Sequence, residues 1–197
     1  EIYNKIGNSY RIGITGPPGA GKSTLTNSLI NNIRSKDKTV AVLCIDPSSP
    51  FSGGSVLGDR IRMLEHYSDK GVFIRSMASR NVSGGLAVAA SESADILDAA
   101  GFDYIIFETL GVGQVDVDVV HEADSTLVML VPESGDSIQM MKSGLMEIAD
   151  IFVINKSDRD GADKLYESIK SMLEGVDAEG WVPEIIKTIA IQSENID

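Results

Sequence analysis

Short apolar runs alternate along this chain with longer segments whose apolar residues recur at three- and four-residue spacing. The runs Arg11–Thr15, Thr39–Ile45, Val72–Ser76, Tyr104–Glu108, Thr126–Val131, Ile151–Asn155 and Ile185–Ala190 predict buried strands. The segments Ser23–Arg34, Leu86–Ala99, Gln139–Ile148 and Ala162–Leu173 predict helices. Continuous apolar strands separated by helices imply a mostly parallel central sheet covered on both faces, a three-layer α/β/α fold. The first helix returns to the next strand through only Ser35–Lys38, and a right-handed crossover of that kind sets strand 39–45 parallel to the first. Asp46 is therefore expected at the same sheet edge as the loop after the first strand, where open α/β sheets bind ligands. The loops 46–60, 109–116 and 132–138 are rich in Gly, Ser, Pro and Asp, leave the carboxyl ends of predicted strands, and are expected to be the moving parts.

Composition narrows the class. With 197 residues and 43% hydrophobic content the chain can bury one good core and not two large ones, so a single domain over 1–197 is expected. It opens on Glu1 rather than methionine and stops just past a strand-like segment, and is expected to be the core of a longer protein. The 17 Lys and Arg against 29 Asp and Glu give a net charge of −12, which disfavours nucleic acid as a partner. No apolar stretch approaches the roughly 18 residues of a membrane span and no signal peptide is visible, so no membrane is expected. The single cysteine, Cys44, excludes an internal disulfide and fits a reducing cytoplasm.

The chemistry is concentrated at the loop edge. GPPGAGKS, Gly16–Ser23, follows the first predicted strand and opens the first helix, the arrangement of a phosphate cradle and of the P-loop NTPase fold. Gly16, Gly19 and Gly21 let the backbone approach a polyphosphate with its N–H groups turned inward, and the following helix adds the positive end of its dipole. Pro17, Pro18 and Ala20 complete the loop. Lys22 can reach the β and γ phosphates, and the Ser23 hydroxyl suits Mg²⁺. Asn155–Asp158, NKSD, follows the sixth strand. An aspartate there can accept two hydrogen bonds from the ring N–H and exocyclic amine of guanine, which adenine cannot supply, so Asp158 is read as selecting GTP. Asn155 would tie this loop to the phosphate loop, and the stem of Lys156 can lie over the base. A last base contact is expected at Ala190, beside an isoleucine, Ile189, where a serine is more usual.

Asp46, Asp59 and Glu108 all fall at the phosphate edge, where Mg²⁺ needs hard oxygen ligands or acceptors for its waters. Ser23 is assigned to the metal directly, Asp59 as a direct ligand in one state, and Asp46 and Glu108 as holders of metal-bound water. Gly111 is placed for its N–H to touch the γ phosphate, and Gln114 could orient the attacking water. Lys22, Gln114 and Glu108 form the expected catalytic set. Arg60 and Arg62 read as solvent-facing, and Trp181 as a packing residue.

Together GPPGAGKST, CIDPSSPFSGGSVLGDRIRM, ETLGVGQ and NKSD resemble the metallochaperone group of P-loop GTPases, and within it the MeaB, ArgK and MMAA type, over about Arg11–Asp197. The resemblance implies a GTPase that binds GTP, GDP and Mg²⁺ and gates cofactor delivery to an adenosylcobalamin-dependent acyl-CoA mutase, typically methylmalonyl-CoA mutase, which it also protects. It implies a phosphate loop over Gly16–Thr24, with Thr24 included, and a third switch over Val131–Lys142 whose Lys142 signals nucleotide state. Cobalamin adenosyltransferase is a further implied partner, and a homodimer is implied at full length through a C-terminal arm. Two alternatives stay open. A small-molecule kinase uses the same cradle, and a nickel or cobalt insertion GTPase would need Cys and His ligands, whereas Cys44, His66 and His121 lack a clustered spacing.

Overall fold

The structure is a computed structural model, and it describes residues 2–47, 63–79, 85–109, 122–132, 145–174 and 181–196. Seven strands form one sheet: β1 (Tyr10–Thr15), β2 (Val40–Pro47), β3 (Val72–Ser79), β4 (Tyr104–Thr109), β5 (Ser125–Leu130), β6 (Ile151–Ile154) and β7 (Glu184–Lys187). Their order is β3-β2-β4-β1-β5-β6-β7, and every neighbouring pair is parallel. Among the described residues the α-helices are α1 (Lys22–Ser35), α2 (Gly85–Ala99), α3 (Leu145–Ile148) and α4 (Ala162–Glu174). This is the expected three-layer α/β/α architecture.

Alternation along the strands assigns the two faces. Val40, Val42 and Cys44 of β2, Ile106 of β4, Met129 of β5 and Val153 of β6 pack with Leu25, Ile30 and Ile33 of α1. Their neighbours in sequence point the other way: Ala41, Leu43, Ile45, Ile105 and Phe107 meet Ala90, Ala94 and Leu97 of α2. Farther along that face Val128, Leu130, Phe152 and Ile154 meet Ala162, Leu165 and Ile169 of α4. Strands buried on both faces have no polar side to show, which is why they read as continuous apolar runs.

The strand order has one consequence for chemistry. β4 lies between β1 and β2, so the strand ends along the carboxyl edge run Asp46, Glu108, Thr15 with the phosphate loop, Leu130, Ile154, Lys187. Asp46, Glu108, the loop Gly16–Gly21 and the loops after β6 and β7 thus lie along one edge in that sequence.

The structure differs from the sequence reading at the end of β7 and at Trp181. The strand expected over Ile185–Ala190 stops at Lys187. Thr188 still donates its N–H to Ile154 O at 2.9 Å, but Asn155 Oδ1 then accepts the Ala190 N–H, and the chain turns into a short 3₁₀ helix, Ala190–Gln192. Of the helix expected over Gln139–Ile148, α3 is the described part and 139–144 lie outside the described residues. Trp181 was expected to pack; it is 67% exposed, its indole N–H donating to Asp150 O at 3.1 Å. Its neighbours at the start of β7 lie on an edge strand, where little apolar surface remains to cover a ring. Cys44 is buried in β2, and His66 is buried with its Nε2 2.7 Å from Asn27 Oδ1.

Candidate functional site

The phosphate loop is shaped by what its glycines avoid. Gly16 has φ +140, and a Cβ built there would lie 2.3 Å from Met129 O of the adjacent β5, a backbone atom that cannot step aside. Gly21, the N-cap of α1, has φ +95, and its Cβ would meet Asn155 Nδ2 at 2.4 Å. The loop is therefore pressed against two other strands' ends, and only glycine fits at either contact. Lys22 is buried and folds back over the loop, donating from Nζ to Gly16 O at 2.6 Å and Pro17 O at 2.9 Å. Pro18 and Gly19 form the exposed crest, Ala20 is buried, and Thr24 is exposed on the first turn of α1.

Ser23, also buried, donates from Oγ to Glu108 Oε1 at 2.6 Å. That bond crosses from the first turn of α1 to the end of β4, on the α1 face of the sheet that Ile106 also faces. A hydroxyl and a carboxylate so close together are hard oxygen donors of the kind Mg²⁺ accepts, and the residues present fit that ion. The β2 backbone carries Asp46 to the same edge, two strands from the loop. Asp59, Arg60, Arg62, Gly111, Gln114, His121 and Lys142 lie outside the described residues.

Asn155 is the joint of the site. It is buried immediately beyond β6, its own N–H held by Leu130 O at 2.9 Å. Its Nδ2 donates to Ala20 O of the phosphate loop at 2.8 Å. Its Oδ1 accepts from the Ala190 N–H at 3.0 Å and from Thr188 Oγ1 at 3.3 Å. One side chain thus fastens three loops that are separated in sequence by 33 to 135 residues. Lys156 sits in the left-handed region at φ +56, uncommon for a residue with a side chain. That conformation sends its stem toward the phosphate loop, where Nζ donates to Gly19 O at 2.9 Å. Asp158 is exposed and makes no hydrogen bond or ion pair among the described residues, so its carboxylate faces solvent beside this joint.

The outer rim is set by β7 and α4. Lys187 Nζ donates to Asp163 Oδ1 at 2.6 Å and lies 4.6 Å above the Tyr166 ring. The ammonium holds the Asp163 carboxyl below its ordinary range. Past the rim, the segment after Ala190 doubles back on α1: Ser28 Oγ donates to Ala190 O at 3.0 Å, and Ile196 is buried in the α1 core. Thr188 and Ser28 were not among the residues picked from sequence. Their partners are 33 and 162 positions away, and an isolated Thr or Ser in a run carries no mark of so distant a contact.

A family model, "Methylmalonyl Co-A mutase-associated GTPase MeaB", matches residues 1–197. The chain belongs to the MeaB family. Among its relatives, a Pyrococcus abyssi protein named as a GTPase is 52% identical over 200 residues, covering all of this chain and 62% of that protein. GTPase ArgK of Escherichia coli K12 is 39% identical over 202 residues, covering all of this chain and 61% of ArgK. The chain thus spans about three-fifths of the length of these curated relatives. A crystal structure of a protein named LAO/AO transport system kinase superposes with a TM-score of 0.77 at 30% identity, covering all of this chain and 58% of that one. The family's description names a GTPase, and these curated relatives are named GTPases. Among the described residues no helix is long and apolar enough to cross a membrane.

Proposed function

We propose that residues 1–197 form one G domain that binds and hydrolyses GTP and regulates an adenosylcobalamin-dependent acyl-CoA mutase of the methylmalonyl-CoA class. The observation that carries the nucleotide half of this reading is the triple bond set of Asn155, which holds the phosphate loop and the base-side loops in one rigid frame. The mutase half rests on the family's description, which names that association.

In this reading the backbone N–H groups of Gly16–Thr24 receive the phosphates, and Lys22 exchanges a loop carbonyl for phosphate oxygen. Asp158 accepts from the guanine edge, the Lys156 stem lies along the base, and Ala190 closes the loop behind it. A bound Mg²⁺ would supply neutralisation of the phosphate charge. Ser23 would hold it, with Glu108 orienting the Ser23 hydroxyl, and Asp46 and Asp59 completing the acidic edge. Hydrolysis adds water oxygen to the γ phosphorus and breaks its bond to the β–γ bridging oxygen, leaving GDP and phosphate. Gln114 is the proposed water-orienting residue and Gly111 the γ-phosphate sensor. Nucleotide state reaches the mutase through Val131–Lys142, cobalamin adenosyltransferase joins the complex, and the full-length protein works as a cytoplasmic homodimer.

Intrinsic turnover should be slow, because Lys22 and Glu108 supply charge and positioning but no general base. GTP hydrolysis by the full-length protein, measured with and without the mutase, is expected to rise by at least about tenfold with it. Equal rates contradict the regulatory half. A second reading, transfer of phosphate to a small-molecule hydroxyl, draws on the name of the structurally similar transport system kinase; it expects ATP to bind well.

A further inference from the structure

Residues 63–71, which lead into β3, are fastened to α1 by polar bonds at two points. Met63 is fully buried in the α1 core, and the short 3₁₀ helix Leu64–His66 follows it. His66 is 7% exposed, and its Nε2 lies 2.7 Å from Asn27 Oδ1. Asn27 Nδ2 donates to Glu65 Oε1 at 2.6 Å, so Oδ1 is the end left to accept and His66 Nε2 carries the hydrogen. Near the other end of the helix Arg34 grips Asp69 with two bonds, Nε to Oδ2 at 2.8 Å and Nη2 to Oδ1 at 3.1 Å. Gly71 lies so close behind this guanidinium that a Cβ there would meet Arg34 Cζ at 2.3 Å.

Two clamps, on the second and last turns, fix how α1 is rotated about its own axis. That rotation matters at Ser23, which lies one turn before Asn27 and so on nearly the same face of the helix. Ser23 Oγ meets Glu108 Oε1 at 2.6 Å from the end of a one-carbon side chain, which has no length with which to follow a backbone that turns away. A side-chain atom about 5 Å from a helix axis moves by about 2 Å when the helix turns by about 20°, enough to break such a bond. Lys22, on the same turn, is far less sensitive, because its stem is four carbons long and its three donors rotate. It already reaches two loop carbonyls, Gly16 O and Pro17 O.

We propose that His66, acting through Asn27, positions the first turn of α1 so that the Ser23 hydroxyl is available to Mg²⁺. This rests on the nucleotide and Mg²⁺ reading above and adds a positioning residue that lies outside the phosphate loop. Arg34 and Asp69 hold the far end of the helix; His66 holds the end that bears on the metal side. Its effect falls on the gain in affinity that Mg²⁺ brings, and leaves the contacts made by Lys22 and by the loops after β6 and β7 as they are.

The test is calorimetric titration of the full-length protein with the non-hydrolysable analogue β,γ-imido-GTP, once in Mg²⁺ and once in EDTA, with a urea midpoint for each variant. The variants are His66→Ala, His66→Gln, Asn27→Ala and the double alanine variant, and the quantity compared is the factor by which Mg²⁺ tightens binding. His66→Ala is expected to cut that factor by at least about fivefold, with affinity in EDTA within about twofold of the wild type. His66→Gln, whose amide N–H can still donate to Asn27 Oδ1, should restore most of the loss. Asn27→Ala should match His66→Ala, and the double variant should be no worse than either, because both act through one bond. Asn27 is only partly buried, so its variant gives the answer even where loss of the His66 ring prevents folding. Lowered midpoints with an unchanged Mg²⁺ factor mean that the clamp serves stability alone, and overturn the proposal. Equal losses in Mg²⁺ and in EDTA overturn it too, since they mean that the whole phosphate loop has shifted, as do additive losses in the double variant. Failure of the wild type to bind the analogue removes the nucleotide reading itself, and wild-type binding that Mg²⁺ does not tighten removes the metal reading.

Discussion

Asn155 carries more of the site than any other side chain, and its three bonds have a measurable weight. Alanine at this position leaves Ala20 O and the Ala190 N–H without their partner inside the protein, and each buried polar group so stranded costs about 1–3 kcal/mol. Asn155→Ala is therefore expected to lower unfolding free energy by about 2–4 kcal/mol in urea titration, and to weaken GDP binding by at least about tenfold in the fraction that stays folded. Thr188→Val removes only the 3.3 Å bond to Oδ1 and should cost about 1 kcal/mol or less. Equal effects of the two variants would mean that the joint does not act through Ala20 and Ala190. Gly16 offers an independent check on the same frame. Gly16→Ala must push the loop away from Met129 O, because the 2.3 Å contact is with backbone, and nucleotide affinity is expected to fall by at least about tenfold while β1 itself stays paired.

Among the elements, β2 and β4 are adjacent in the sheet, although β3 and α2 separate them in sequence, and a single carboxylate pins their starts together. Asp103 accepts from the Thr39 N–H, from Thr39 Oγ1 and from Lys38 Nζ, each at 2.8 Å. The Lys38 ammonium, followed by the two Thr39 donors, pulls the Asp103 carboxyl down to about 2 from an ordinary 3.8. A carboxyl depressed in the folded state lends stability above its unfolded pKa and loses it as pH falls toward the folded one. Asp103 thus contributes fully above about pH 4, and its contribution disappears between there and about pH 2. The urea midpoint of the wild type is expected to drop across that window, and Asp103→Asn to show a lower midpoint at pH 6 with a shallower drop below pH 4. An unchanged acid slope would mean that this clamp is not what acid releases.

At the same scale lies what could be read from sequence. Buried strands such as Val40–Ile45 announced themselves because both faces are covered, leaving no polar alternation to blur the run. The end of β7 did not, because Ile189 and Ala190 look like more strand; what stops it is a side-chain oxygen from a residue 35 positions earlier. The order of strands was legible only in part. A short crossover fixes direction, which was right for β2, but nothing in residues 35–40 tells that β4 will slip between β2 and β1.

Across the whole molecule, the sheet order converts a linear list of motifs into a line in space, with carboxylates at β2 and β4, the glycine loop after β1, and the NKSD and Ala190 loops after β6 and β7. Glycine and lysine spacing made the cradle visible, since backbone approach and charge reach are local properties. The strap that holds it was hidden: Ser28 to Ala190, Asn155 to Ala20 and Ile196 under α1 are contacts between ends of the chain. On the proposed reading, selectivity resides in Asp158, whose exposed carboxylate would accept from two donors that guanine presents and adenine does not. Losing two charge-assisted hydrogen bonds at such a site is worth about 3 kcal/mol or more, a factor of at least about a hundred. The most direct test is titration of the purified chain, in Mg²⁺, with GTP and with ATP under identical conditions. GTP bound at least about a hundredfold more tightly than ATP is the predicted result, and ATP bound as tightly as GTP, or neither bound, contradicts it.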